Sequence, residues 1–289
     1  MEQIVVNGLY LGAQYALIAL GLTLIFSLMS VLNFAHGQLY VLGGFVTYTA
    51  VVPLGLPFVV ALMLSAVVLA IVGALIEQFL FRPVIKKSKR DESTMLLAAG
   101  IAFFLDAVIL LLFGEKQRGV PKLVDGVFNW DWRIVMPYDR ILIGFIAIAM
   151  IVAFILFMQY SKAGRAMRAL AQDKTAAALM GVNVDRYSML GFALGAMLAG
   201  LVGGLLVTIT GINLGMGGPT SIKAFMMIMI GGAGVISGAI AGGFILGMME
   251  SVGLSVLSQY GDITYLVIFA TLMVFLALRP QGLMGKPWG

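Results

Sequence analysis

The stretch "KAFMMIMIGGAGVISGAIAGGFILGMMES", Lys223 to Ser251, decides how many times the chain enters a membrane. It sits in an apolar region from Thr220 to Leu257, broken by "GGAGVISG", Gly231 to Gly238. A helix rises about 1.5 Å per residue and a bilayer core is about 30 Å thick, so one crossing takes roughly 20 residues. The region is too long for one crossing and short for two. A short or half-crossing helix followed by a full one fits it. Irregular backbone at that depth is tolerated only where it is buried in protein or borders a cavity. The glycines of the break therefore mark either close packing or a pathway.

Outward from that stretch, the same ruler gives spans near 4–31, 37–52, 57–81, 94–113, 138–160, 187–210 and 262–279. Together these predict an all-α polytopic membrane protein with eight or nine membrane-embedded helical segments, one of them the short Gly-broken helix. Composition agrees: the 289 residues are 61% hydrophobic and 11% charged, where a soluble domain is about 25% charged. The longest loops, near 82–93, 114–137 and 161–186, leave no room for a soluble domain, so residues 1–289 read as a single membrane domain. No Lys or Arg precedes the first apolar run, so Ile4 onward is expected to be a retained helix, not a secretory signal. The absence of cysteine excludes disulfides and thiolate metal sites.

Basic residues set the expected orientation. Arg82, Lys86, Lys87, Lys89 and Arg90 share a side with Lys162, Arg165, Arg168, Lys174 and Arg186, because two spans separate the two groups. The intervening loop has five basic residues against these ten, which puts the larger set in the cytoplasm and the N-terminus outside. Trp130 and Trp132 then suit an outer interfacial segment. Arg279 and Lys286 favour a cytoplasmic tail, hence nine segments over eight.

Glycines spaced by four (Gly191/Gly195, Gly200/Gly204, Gly238/Gly242, Gly243/Gly247) put small residues on one helix face and predict close helix approach. Polar groups are few. In "SVLNFAHGQLYVLGGF", Ser30 to Phe45, Asn33, His36 and Gln38 crowd the junction of the first two spans, and His36 is the only histidine. Two readings fit: Asn33 caps a chain reversal and His36 bonds a nearby carbonyl, or both line a polar path. Glu77 is placed to reach Arg82 as an interfacial anchor pair. Asp106, Lys223 and Glu250 either snorkel to water or pair inside the bundle.

The segment "SKAGRAMRALAQDKTAAALMGVNVDRY", Ser161 to Tyr187, holds a Gly- and Pro-free run from Arg165 to Met180, bracketed by Gly164 and Gly181. It predicts one amphipathic helix that either docks on a partner protein or rests on lipid headgroups. No catalytic constellation and no phosphate loop occur: Gly285-Lys286 is followed by Pro287. Any ATP that drives this protein is hydrolysed by another chain.

Taken in order, "NGLYLGAQYALIALGLTLIFSLMSVLNFAHGQLYVLGGF" (7–45), "IEQFLFRPV" (76–84), "YSKAGRAMRALAQDKTAAALMGVNVDRY" (160–187), the opening stretch (223–251) and "RPQGLMG" (279–285) cover nearly the whole chain. Their set and order resemble the LivH-type permease subunits of branched-chain amino acid ABC importers. The resemblance implies a permease without its own ATPase site or cofactor, in the cytoplasmic (inner) membrane of a bacterium or archaeon. It implies a second, LivM-like permease, two ABC ATPase subunits carrying ATP and Mg, and an extracytoplasmic substrate-binding protein, with no nucleic acid. It turns the choice at residues 161–186 toward an ATPase-coupling loop, with Gly164, Arg165, Arg168, Asp173 and Gly181 as its candidate residues. Asn33, His36, Gly231, Gly232 and Gly234 become candidates for the substrate pathway. The family also holds urea and short-amide permeases. A stand-alone channel or facilitator is the alternative class; a membrane enzyme lacks the clustered groups it would need.

Overall fold

A computed structural model of the chain describes residues 1–88, 91–130, 134–256 and 261–285. It is mostly helical, in the order α1 (Glu2–Met29), α2 (His36–Val51), α3 (Phe58–Ile76), α4 (Arg82–Lys87), α5 (Asp91–Phe113), β1 (Val127–Trp130), β2 (Ile134–Pro137), α6 (Tyr138–Tyr160), α7 (Lys162–Gln172), α8 (Lys174–Leu179), α9 (Val184–Leu206), α10 (Gly217–Gly231), α11 (Ile236–Val256) and α12 (Gly261–Leu278). Among the described residues six helices are long and apolar enough to cross a bilayer: α1, α3 extended through α4, α5, α6, α9 and α11. The protein is a multi-pass membrane protein. α2 and α10, with 16 and 15 residues, are shorter.

Three features depart from the sequence reading. A π-helical turn, Glu77–Phe81, carries the third span on into α4, so part of the expected 82–93 loop is helix. The expected 114–137 loop contains an antiparallel hairpin, with Val127 opposite Pro137 and Trp130 opposite Ile134; Trp132 lies outside the described residues. The expected single helix over 165–180 is two helices, α7 and α8, because Asp173 leaves helical geometry at φ −155°, ψ 111°. The break near Gly231–Gly238 is real and narrower, between Gly231 and Ile236.

The chain forms two compact units. In Leu24–Pro121 with Val152–Ile222, the core is α2, α3 and α9 packed together. Glycine sets their spacing. A Cβ on Gly43 of α2 would stand 2.2 Å from the Gly200 Cα of α9, and one on Gly203 would stand 1.9 Å from the Tyr40 carbonyl oxygen. Ser65 of α3 donates from its hydroxyl to the Gly43 carbonyl at 3.0 Å. Lipid tails are as apolar as leucine, so these helices adhere through such backbone approach and interhelical hydrogen bonds. α5 runs parallel to α2: Phe45 stacks on Phe113 at 4.6 Å, and seven residues earlier on both helices Gln38 meets Asp106.

In the other unit, Met1–Thr23 with Lys122–Ile151 and Lys223–Gly289, α1 and α11 run antiparallel in close contact. A Cβ on Gly247 would lie 2.4 Å from the Gly12 nitrogen, and one on Gly243 would lie 2.5 Å from the Ala16 nitrogen. Ser251 Oγ donates to the Ile4 carbonyl at 2.7 Å. The Gln3 side-chain amide extends the hairpin, accepting from Val135 N at 2.8 Å and donating to Val135 O at 3.1 Å. It substitutes for a neighbouring strand at that edge.

Candidate functional site

The Ser161–Asn183 segment owes its shape to three side-chain caps in succession. Ser161 Oγ accepts from Gly164 N at 2.8 Å, opening α7. Asp173 Oδ1 accepts from Thr175 N at 2.8 Å and Ala176 N at 2.9 Å, opening α8. Asn183 Oδ1 accepts from Arg186 N at 3.0 Å, opening α9. Each satisfies helix N–H groups that have no intrahelical acceptor. α8 closes on Gly181: Val182 N donates to Ala177 O and Gly181 N to Ala178 O, both at 3.0 Å, with Gly181 at φ +85°. This is a Schellman ending, which requires a left-handed residue and so favours glycine.

The two arginines bond back onto the chain's own carbonyls. Arg165 Nη1 donates to Tyr160 O at 2.8 Å, while Arg168 donates to the Met158 and Gln159 carbonyls. These are the last carbonyls of α6, where a cation both bonds unpaired oxygens and suits the helix dipole. Gly164 allows that approach, since a Cβ there would lie 2.5 Å from the Met158 and Phe157 oxygens. Met167 and Leu170 are buried against the rest of the unit. Leu179 and Met180, at the end of α8, are each 85% exposed. Lys174 is half-buried in a small cleft beside Asp185 and Arg82, and burial pulls its ammonium below the ordinary lysine range. The sequence reading singled out the bracketing glycines, Asp173 as a charge, and Leu179 and Met180 as apolar surface; the caps made by Ser161 and Asn183 went unremarked.

The anchor pair forms as the spacing suggests. Arg82 reaches buried Glu77 through Nη2 at 2.6 Å and Nε at 3.2 Å, and also donates to Asp185 O at 3.0 Å. Lys86 meets the Asp185 carboxylate at 2.5 Å. This network ties the end of the third span to the start of α9.

At the junction of α1 and α2, Asn33 and His36 are both fully buried. Asn33 Oδ1 accepts from Ala35 N at 3.1 Å, an Asx-turn that builds the reversal. Ser221, unremarked in the sequence, holds it: its Oγ accepts from Gly37 N at 2.8 Å and donates to Phe34 O at 2.9 Å. Gln38 Nε2 donates to Asp106 Oδ2 at 2.9 Å. Gly217 makes room for that amide, as a Cβ there would stand 1.4 Å from Gln38 Oε1.

In the other unit, the glycine break is filled by the chain's own tail. Leu283 N donates to Ile230 O at 2.9 Å and Met284 N to Gly231 O at 3.0 Å, pairing the last carbonyls of α10. Gly232 and Gly234 take φ +105° and +81°. A Cβ on Gly231 would lie 1.9 Å from Gly238 O, so α10 and α11 meet at the break with no side chain between them. Gly234 is half-buried. Nearby in sequence, Lys223 donates to Glu250 Oε1 at 2.8 Å, Glu250 Oε2 at 3.0 Å and Tyr15 Oη at 2.8 Å, and Tyr15 Oη donates to Glu250 Oε2 at 2.5 Å. Lys223 and Glu250 thus pair within the bundle, the second of the two options their positions leave open.

The chain matches, over residues 4–276, the family described as branched-chain amino acid transport system / permease component. It is 35% identical over 299 residues to the high-affinity branched-chain amino acid transport system permease protein BraD of Pseudomonas aeruginosa, with 99% of this chain and 96% of that protein covered. To the LivH permease protein of Escherichia coli strain K12 it is 35% identical over 295 residues, covering 97% and 94%. To the probable LivH permease protein of Methanocaldococcus jannaschii it is 29% identical over 304 residues, covering 99% and 94%. Among solved structures, PsaBC from Streptococcus pneumoniae in complex with Fab gives a TM-score of 0.49 at 14% identity, over 95% of this chain and 90% of that one. The residues matched and the identities over nearly full length make this chain a member of the branched-chain amino acid transport system permease family.

Proposed function

We propose that the chain is the LivH-like permease subunit of a binding-protein-dependent ABC importer that moves branched-chain amino acids inward by alternating access. The observation that carries the coupling part is the Ser161–Asn183 segment: a capped, rigid turn of helices that presents Leu179 and Met180 to the outside of the chain. Exposed apolar side chains on a short, rigid helix suit a groove on a partner protein. In this reading the partner is an ABC ATPase, one of two that hold ATP and Mg. Gly164, Arg165, Arg168, Asp173 and Gly181 shape the coupling loop. A LivM-like permease completes the pathway, and a substrate-binding protein delivers the amino acid from outside.

In this reading α2, α10 and α12 join the six long helices as membrane-embedded segments, nine in all, of one permease domain over 1–289; the apolar character of these helices supports it. The N-terminus lies outside the cytoplasmic (inner) membrane. Asn33 and His36, and the backbone at Gly231, Gly232 and Gly234, are candidates for the path lining. Gly234 is the most accessible of these glycines.

Native purification from membranes, followed by reconstitution with every co-purifying chain, tests this. The expected result is ATP-dependent uptake of leucine, isoleucine or valine that needs a loaded binding protein. Leu179→Ser/Met180→Ser should abolish uptake while leaving the permease folded and inserted. Uptake of urea in place of these amino acids would move the substrate to the amide branch. Solute passage by the chain alone would establish a facilitator and remove the coupling role.

A further inference from the structure

We infer that the groove between the N-terminal halves of α1 and α6 is a binding site for an anionic phospholipid, with Arg140 as the phosphate ligand. The groove is a cavity of about 430 Å³ walled by Leu9 and Tyr10 of α1 and Ile141, Phe145 and Ile148 of α6, with Trp130 of the hairpin at its mouth. That volume is in the range of small-ligand pockets. Phe145, Ile148, Leu9 and Trp130 are all exposed, so the groove is an open apolar surface and not a closed core void.

Its chemistry is polarised along its length. Arg140 is the third residue of α6, and its guanidinium lies 5.9 Å from the centre of the Tyr10 ring. Among the described residues no carboxylate lies within 4.0 Å of it, and Asp139 beside it is occupied by Leu123 N at 3.1 Å. From Arg140 to Ile148 the wall descends eight residues, roughly 12 Å of helix, without another charged side chain. A cation and a tryptophan at a helix end are where a headgroup sits, and an apolar slot below them is where an acyl chain lies. A guanidinium fork fits phosphate oxygens in pairs. A zwitterionic amino acid fits poorly, since the walls offer its ammonium group no carboxylate.

Gly144 lines the floor, and a Cβ there would touch only Tyr10 Cδ2 at 3.5 Å. Gly144→Leu therefore fills the slot while improving helix propensity. The test uses the full-length chain purified in mild detergent, mixed with equal amounts of dioleoylphosphatidylglycerol and dioleoylphosphatidylcholine, and read by native mass spectrometry. The wild type should retain the phosphatidylglycerol about tenfold over the phosphatidylcholine, the worth of one charge-assisted hydrogen bond. Arg140→Gln should erase the preference, Arg140→Lys should keep part of it, and Gly144→Leu should lower retention of both lipids. Equal retention of the two lipids by the wild type would overturn the proposal. So would retention of both lipids unchanged in Gly144→Leu, or a cysteine at Gly144 that crosslinks to a protein chain in membranes.

Discussion

Replacing Lys223 by Met isolates what the buried ion group on α10 contributes. Lys223 and Glu250 have side-chain exposures of 23% and 6%, and Tyr15 bridges them. Removing one partner of a buried pair leaves the other charge uncompensated, which costs about 3–5 kcal/mol. Here the Tyr15 hydroxyl still donates to Glu250, so the loss falls near the lower bound, about 3 kcal/mol. Glu250→Gln keeps an amide oxygen and the Tyr15 hydroxyl as neutral acceptors for Lys223, which is also partly open to water, so its cost is smaller, about 2 kcal/mol. The double variant Lys223→Met/Glu250→Met removes both desolvation penalties along with the attraction. It should return to within about 1 kcal/mol of the wild type. Equilibrium unfolding of the purified chain in mixed detergent and SDS micelles, followed by circular dichroism, measures all three. Single variants within about 0.5 kcal/mol of wild type, or a double variant as unstable as the two singles combined, would refute the reasoning that this group is a coupled, desolvated unit.

Three further outcomes follow from local geometry. Gly203→Ala drives a methyl group to 1.9 Å from the Tyr40 backbone oxygen, so α2 and α9 must separate at a cost of about 2–3 kcal/mol; Gly218→Ala, with nothing within 4 Å, should be neutral in the same unfolding assay. Asp173→Ala removes two bonds at the start of α8, about 1 kcal/mol, and should speed amide exchange at Thr175 and Ala176 about fivefold, while Asp173→Asn keeps both bonds. Lys174→Met should raise the thermal midpoint at neutral pH, because burial holds the folded ammonium below its unfolded value and penalises the charged form. That penalty persists while Lys174 is protonated in both states and is lost as pH rises through the folded value and past about 10.4, so the gain from the substitution should shrink toward alkaline pH.

How much of this was legible beforehand depends on the range of the interaction. The expected span at 138–160 and helix α6 share both ends, because hydropathy and the charged residues flanking it are local signals. The broken region was legible for the same reason: Gly231 to Gly234 interrupt an apolar run whose length already conflicts with one crossing. The division of 165–180 into two helices had a local signal that helix propensity outweighed, since Asp173 is a favoured N-cap residue in mid-run. The hairpin also left a trace in the apolar and aromatic residues on both sides of Asp131. Ser221 left none. Its hydroxyl fixes the reversal 184 residues away in sequence, and no periodicity encodes a contact of that range. The same holds for Gln38 with Asp106, 68 residues apart.

These contacts also reorder the candidate residues. A helix of 16 residues that carries His36 and Gln38 near its start is costly to hold in a bilayer by hydropathy alone, so α2 depends on what it packs against. Gly43 and Gly203 bring α9 to its backbone, Asp106 takes the Gln38 amide, and Ser221 and Asn33 satisfy the turn that precedes it. Asn33, Gln38 and Asp106 thus each have a structural partner within their own unit. Arg165 and Arg168 are engaged in the same way by the α6 carbonyls, and Asp173 by the start of α8. What stays without a structural role in that segment is the pair Leu179 and Met180, two large apolar side chains held out by a glycine ending that fixes their direction. Their exposure on a rigid ending is the feature that the proposed docking on a complementary apolar partner groove would use.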